Sequence, residues 1–340
     1  MALNYPRIDN ASGVWNMKEV TEAVLGGYWP NATARGLWYG GHTPSKLTAI
    51  DYVTISTTGD AADFGDLSGT ARSYMTGSMS NFTRGIFAGG GPGSAGPGAY
   101  GVDIIDYVTF VTTGNASDFG NLTRHQYGVA NLSNSTRGIQ GGGTDPTSNI
   151  IDYVVTASLG DATDFGDLSQ ARFYTATVAS PTRGVWGGGV TPTVVNTIDY
   201  ITIASTGDAT DFGDLISVRE GPSGASSSTR GVIVGGDTNP SSPNLLTTTE
   251  YLEIASTGNT VAYGDLLAVA DYTGSLSNGV RCLVGGGDPG PSLLDTIQSF
   301  NIPVGGQTVD FGDLTAAKSS MGSASGGHGG LADGYQGVAR

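Results

Sequence analysis

The chain has 340 residues, 56 of them glycine, and carries 15 basic against 30 acidic side chains for a formal net charge of -15. That balance argues against nucleic acid as a partner, since phosphate binding needs clustered Lys and Arg, and it disfavours anionic membrane surfaces. No apolar run approaches the roughly 18–20 residues that span a bilayer, and the single cysteine, Cys282, has no partner for an internal disulfide.

In chain order, the first segment is an arm over residues 1–34. It lacks the basic start and continuous apolar stretch of a signal peptide. Asn16 reads as an N-cap with Glu19 three residues on, and Val20, Ala23 and Val24 form one apolar stripe that Gly26 stops. This predicts a short helix over about 17–25. Trp15, Val20, Val24, Tyr28 and Trp29 are candidate anchor residues, because so short a helix is stable only against a surface, its own domain's or another protein's.

From residue 35 onward the chain copies itself. IDYVTISTTGDAADFGDL starts at Ile50 and recurs from Ile105, Ile151 and Ile198, then in altered form from Thr249 and Ile297. Interleaved with it, a short segment recurs from Arg35, Arg84, Arg137, Arg183, Arg230 and Arg281: a basic residue, a hydrophobic run and paired glycines. A third, weaker segment follows each DFGDL and supplies Arg72, Arg172, Arg219 and Lys318, with Gln126 and Ala270 in the remaining two copies. The copied runs are short, rich in β-branched and aromatic residues, and bounded by Gly, Asn, Asp and Pro, which predicts strands joined by turns. About four strands per unit of roughly fifty residues is the pattern of a β-propeller blade.

The arginine, the diglycine strand, the variable loop and the strand with an acid and an aromatic together resemble the kelch repeat over about 35–328. The resemblance implies that the diglycine ends the second strand of a blade, that IDY opens the third and that DFGDL ends the fourth. The chain departs from the kelch pattern in its fourth strand, where Phe64, Phe119, Phe165, Phe212, Tyr263 and Phe311 stand in place of Trp. The expected fold is all-β, a six-bladed kelch-like propeller with a short N-terminal helical arm. Its blades are 315–328 plus 35–67, 68–122, 123–168, 169–215, 216–266 and 267–314, with the ring closed by the C-terminal strand and a tail over 329–340.

Several residues invite a chemical reading. Asp60, Asp63 and Asp66, Asp161, Asp164 and Asp167, and Asp208, Asp211 and Asp214 are spaced i, i+3, i+6. Oxygen-rich loops bind calcium, which makes Asp161, Asp164 and Asp167 a candidate set. The competing and favoured reading is that these side chains hydrogen-bond backbone amides in turns, with no metal bound. The six repeat arginines, Arg35, Arg84, Arg137, Arg183, Arg230 and Arg281, are expected to be structural struts paired with Asp51, Asp106, Asp152, Asp199 and Glu250 or with acids of the next blade. His42, His125 and His328 occupy unrelated repeat positions, so neither an enzyme nor a cofactor is expected. Tyr100, Tyr127 and Tyr174 are loop aromatics and candidate glycan contacts. The insertions at 91–104 and 238–247 both follow the diglycine strand and are expected to share one face.

The run SGVWNMKEVTEAVLGGYWP, followed by near-identical units, resembles virion proteins of tailed bacteriophages of aquatic bacteria. It implies a non-enzymatic structural or adhesion component of the particle, in tail, neck, fibre or capsid decoration. On that reading the chain is made in the host cytoplasm without a signal peptide. Other virion proteins are its partners through the arm, and a second copy of the chain or a host-surface glycan are further partners. A carbohydrate-binding module is the alternative. The glycines serve as fixed punctuation between strands, and 18 of the 30 acids fall at four repeated positions, so the charge belongs largely to the copied unit.

Overall fold

The computed structural model describes residues 34–92, 101–238 and 244–331. The expected helix at 17–25, its anchor residues Trp15, Val20, Val24, Tyr28 and Trp29, and Tyr100 lie outside the described residues. The chain is all-β: six antiparallel four-stranded units form a six-bladed propeller, and the one helical element described is a 3-10 turn at Gly329–Leu331. Blade 4 shows the plan. Ala176–Ala179 is innermost, followed outward by Arg183–Gly187, Thr197–Thr202 and Thr210–Asp214. In blade 1 the innermost position belongs to Gly322–Ser325, which pairs antiparallel with Gly36–Tyr39. In blade 2 the innermost strand is only Met79–Ser80, and the preceding Met75–Gly77 pairs in parallel with Val129–Asn131 of blade 3.

The strands follow the period-2 logic of half-buried sheets, and the blades bury both faces against their neighbours. The core therefore sits between adjacent blades. Leu132, Ile139 and Phe165 of blade 3 pack with Trp186 and Ile201 of blade 4, and Val232 and Val234 of blade 5 pack with Cys282 and Phe300 of blade 6. The glycine of DFGDL is required here. Gly166 has φ +149 beside a bulge, and a Cβ on it would stand 2.4 Å from the carbonyl oxygen of Gly207 in the next blade. Backbone packs on backbone at that point, which only glycine permits.

Rings of hydrogen bonds run around the molecule. The second glycine of each pair donates its amide to the carbonyl of the residue that opens the next inner segment, as Gly143 does to Arg172 and Gly189 to Arg219. At the other end of the blades, the turn residues Asp60, Asn115, Asp161, Asp208 and Asn259 accept from the amides of Asp313, Asp66, Asn121, Asp167 and Asp214 on the adjacent blade. Asp161, Asp164 and Asp167 thus do not gather around one point, and among the described residues no group of three or more His, Cys, Asp or Glu is placed to hold a metal ion. Asp60, Asp161 and Asp208, the first of each set, do bond backbone amides, but those of the neighbouring blade.

Candidate functional site

Six triplets lead into the inner strands: Arg72-Ser73-Tyr74, Gln126-Tyr127-Gly128, Arg172-Phe173-Tyr174, Arg219-Glu220-Gly221, Ala270-Asp271-Tyr272 and Lys318-Ser319-Ser320. Every third residue has a left-handed backbone, with φ from 48 to 64. Their amides and carbonyls close a ring: Tyr74 donates to Ser320, Ser320 to Tyr272, Tyr272 to Gly221, Gly221 to Tyr174, Tyr174 to Gly128 and Gly128 to Tyr74, over 2.7–3.1 Å. This conformation costs a non-glycine residue about 1 kcal/mol or more, and a bulky residue in it is a pointer to function. Three of the six are tyrosines, and they alternate with Gly or Ser for a steric reason. A Cβ on Gly128 would lie 2.9 Å from the Tyr174 ring, and one on Gly221 would lie 3.0 Å from the Tyr272 ring. The rings of Tyr174 and Tyr272 thus lie over these two glycines.

The three rings meet at the mouth of the central channel, with centroids 5.8 Å apart for Tyr74–Tyr174, 6.4 Å for Tyr74–Tyr272 and 5.1 Å for Tyr174–Tyr272. Tyr127 joins them 6.1 Å from Tyr74. All four are half-buried. Of the expected glycan tyrosines, Tyr127 and Tyr174 are therefore brought together, through Tyr74. Sequence reading missed Tyr74 and Tyr272. The signal was the triplet itself, which lies outside the strand pattern.

The second residue of each triplet faces a residue just beyond the paired glycines. These couples are Ser73 with Gly91, Tyr127 with Thr144, Phe173 with Val190 and Ser319 with His42, but Glu220 with Asp237 and Asp271 with Asp288. All the carboxylates of this layer fall on blades 5 and 6. Burial, then the charges of Asp288, Asp237 and Glu220, push Asp271 up to about 7. Burial likewise raises Glu220, which accepts a hydrogen bond from the Tyr272 hydroxyl at 3.3 Å. Tyr174 and Tyr272 are raised far above the usual phenol range, mainly by burial, and stay neutral. Lys46 places Nζ 5.2 Å from the Tyr74 ring centroid and donates to the carbonyls of Gly91 and Pro92.

Beneath the mouth, the first residue of the triplet reaches the acid that opens the third strand. Arg72 pairs with Asp106, Arg172 with Asp199 at 2.8 Å, Arg219 with Glu250 and Lys318 with Asp51 at 3.0 Å, all buried. Blade 6 replaces both charges together, with Ala270 and Gln298. These acids are therefore taken, and the expected pairing of the repeat arginines with them does not occur. Arg35, Arg84, Arg137, Arg183 and Arg230 lie over Tyr52, Tyr107, Tyr153, Tyr200 and Tyr251 at 4.5–5.0 Å, and Arg281 over Phe311 at 5.9 Å. Each also donates to a carbonyl of the next blade: Phe110, Ala157, Ile203, Ile254, Ile302 and Ile55 respectively.

The far end of the channel is filled by residues 326–331. His328 is fully buried, and burial pushes it down to about 3. Its Nδ1 accepts from the Gly330 amide, so Nε2 carries the proton and donates to Ser133 Oγ at 3.0 Å. Between the two plugs the channel holds serine and threonine hydroxyls bonded from blade to blade, such as Ser325 to the Ser277 carbonyl and Ser277 to the Ser226 carbonyl. A cavity of about 20 Å³ remains, room for a single water. His125 is exposed beside Asp103, and Cys282 is buried in the blade 5–6 core, where burial raises its thiol well above the usual range.

The structure thus defines a six-bladed β-propeller whose central channel is closed at both ends, by tyrosines at one mouth and a glycine-rich turn at the other. Compared with known protein families and with curated proteins, the sequence matches none.

Proposed function

We propose that the chain is a non-enzymatic binding and structural propeller that uses its tyrosine mouth as the contact surface. The observation that carries this reading is the set of three tyrosines held in left-handed backbone conformations where the same ring position elsewhere takes Gly or Ser. Such strain persists where the surrounding structure holds it in place. The bases of both long loops, Gly91–Pro92 and Asp237–Leu245, border this end, which gives variable segments a common face.

The propeller is proposed as a component of a bacteriophage particle, on the resemblance of its N-terminal run and copied units to virion proteins. The N-terminal arm would dock on other virion proteins. The six units are kelch-like on this reading, and Gly322–Ser325 is the latch that closes the ring on blade 1. Mass spectrometry of purified particles tests the assignment: the chain is expected in fixed stoichiometry with the other structural proteins, and its absence from particles overturns it. A carbohydrate-binding module is the second reading, favoured by the juxtaposition of the half-buried Tyr127 and Tyr174. On a glycan array, loss of binding in Tyr127→Ala and Tyr174→Gly variants supports it.

A further inference from the structure

We propose that the tyrosine mouth receives a cationic side chain, an arginine or lysine of a partner protein, between the rings of Tyr174 and Tyr272 and the carboxylates of Glu220 and Asp271. This rests on the reading of the mouth as a contact surface and gives that surface a ligand chemistry.

The six copies differ at this layer. At the facing couples behind the mouth, four blades carry no carboxylate and two adjacent blades carry two each. The charge is therefore concentrated at one sector and is not inherited from the repeat. Within it, Asp271 is 8% exposed. Among the described residues its carboxylate accepts a hydrogen bond from its own amide alone, and the charges bearing on it are Asp288, Asp237 and Glu220. A buried carboxylate ordinarily has a cation or several donors as partners. Of the five buried acids one layer below, four have an Arg or Lys partner, and the fifth, Asp152, accepts from the Thr123 amide and hydroxyl with the charge of Arg124 bearing on it. Asp271 is the exception, and it belongs to the mouth.

The identity of the missing partner follows from the surroundings. The acids are not grouped to hold a metal ion among the described residues. The rings of Tyr174 and Tyr272 stand edge to face at 85° beside the acids, so a π face and carboxylates are offered together. Aromatic faces with nearby carboxylates select organic cations, whose charge is spread and whose hydration is weaker than that of a metal ion. The same cluster already does this once: Lys46 sits over Tyr74 while its protons go to backbone carbonyls. Among the described residues no Lys or Arg lies over Tyr174 or Tyr272, on the acidic side. The net charge of -15 adds long-range attraction for a basic segment.

The test uses the full chain and a nine-residue peptide of alternating Gly and Arg, with a Gly/Gln peptide of equal length as control, titrated calorimetrically at low salt and pH 8. The Arg peptide is expected to bind and the Gln peptide not. Glu220→Gln with Asp271→Asn is expected to weaken binding about tenfold or more, as is Tyr174→Gly with Tyr272→Gly. The glycine pair recreates what blades 3 and 5 already hold, so it preserves the backbone ring. Lowering the pH from 8 to 6 is expected to weaken binding to the native chain more than to Asp271→Asn, with Asp288, Asp237 and Glu220 the other acids facing the ligand. Neutralising two exposed acids elsewhere, Asp63→Asn with Asp211→Asn, controls for net charge. An equal loss there, or equal binding of both peptides, overturns the proposal. Glycans that bind and then lose binding on the tyrosine substitutions would keep the mouth as a contact surface while sinking the cation chemistry. If no ligand of either kind responds to them, both readings fall.

Discussion

Arg172→Ala tests what holds the mouth in place. The guanidinium is fully buried and makes three interactions, with Asp199 at 2.8 Å, the Thr197 carbonyl at 2.7 Å and the Trp186 carbonyl at 3.5 Å. Its removal strands Asp199, also fully buried, with only the Ser169 amide at 3.2 Å and hydroxyl at 2.7 Å as donors. Breaking a buried ion pair in this way costs about 3–5 kcal/mol. Blade 6 shows how the chain dispenses with the charges. There Ala270 and Gln298 stand in their place, and the Gln298 oxygen accepts from the Leu267 amide and the Thr308 hydroxyl, both at 2.7 Å. Transplanting that set into blade 4, as Ser169→Leu, Arg172→Ala, Asp199→Gln and Ala209→Thr, should return stability to within about 1–2 kcal/mol of the native chain, since replacing both charges avoids the stranded one. Urea unfolding followed by circular dichroism reads both variants, as midpoint shifts at constant slope. A single variant within 1 kcal/mol of native, or a quadruple variant no better than the single, refutes the reasoning.

Three further outcomes are expected. Asp271→Asn should stabilise the chain by about 1–2 kcal/mol at pH 8 and be neutral near pH 4. The folded acid titrates at about 7, above its unfolded value, so its burden is present above pH 7 and disappears as the pH falls towards the unfolded value; urea midpoints across that range check it. Gly330→Ala would set a Cβ 1.9 Å from the Ser133 carbonyl oxygen, so the turn must leave its seat at a cost of about 1–3 kcal/mol, read as lost hydrogen-exchange protection at residues 328–331. Truncation after Leu314 removes the innermost strand of blade 1 and the Lys318 partner of Asp51; a lower melting temperature and lost solubility are expected from the exposed strand edge, and a truncated chain that melts like the native one refutes the latch.

The strands and their number were legible because each copy carries its own hydrophobic run and turn signals. The ion pairs were not, although every participant was visible. Arg183 and Asp199 look like natural partners in the linear pattern. In the antiparallel register, Arg183 opposes Thr202 and Asp199 opposes Trp186, so the two lie at opposite ends of the strand pair. The face Arg183 shares with position 202 brings it instead to Tyr200, two residues back. Asp199 is met from the other end by Arg172, whose segment lies outside any recognisable strand. The mouth was hidden for the same reason. Tyr127 and Tyr174 stand out as aromatics in a loop, but their convergence with Tyr74 and Tyr272 depends on six left-handed residues closing one ring, and no single copy encodes that.

Differences among the copies separate structure from function. In blades 2, 3, 4 and 1 the buried acid is an aspartate that accepts from Ser68, Thr123, Ser169 or Thr315, and an alanine stands at the turn. In blades 5 and 6 the side chain is one methylene longer, Glu250 or Gln298. The hydroxyl is lost to Ile216 or Leu267 and returns on the other side as Thr260 or Thr308. The changes in blades 5 and 6 match one another, as expected where the selected quantity is a satisfied buried polar group, and in blade 3, where Gln126 replaces the arginine, Asp152 keeps the Thr123 hydroxyl with the charge of Arg124 bearing on it. At the mouth the rule fails. Glu220, Asp237, Asp271 and Asp288 enter together, and Asp271 bears the electrostatic cost, with no basic residue paired to it among the described residues. Compensated variation keeps the ring intact whichever residues fill it. Uncompensated variation, confined to two neighbouring blades beside strained tyrosines, is what a site completed by a partner should look like.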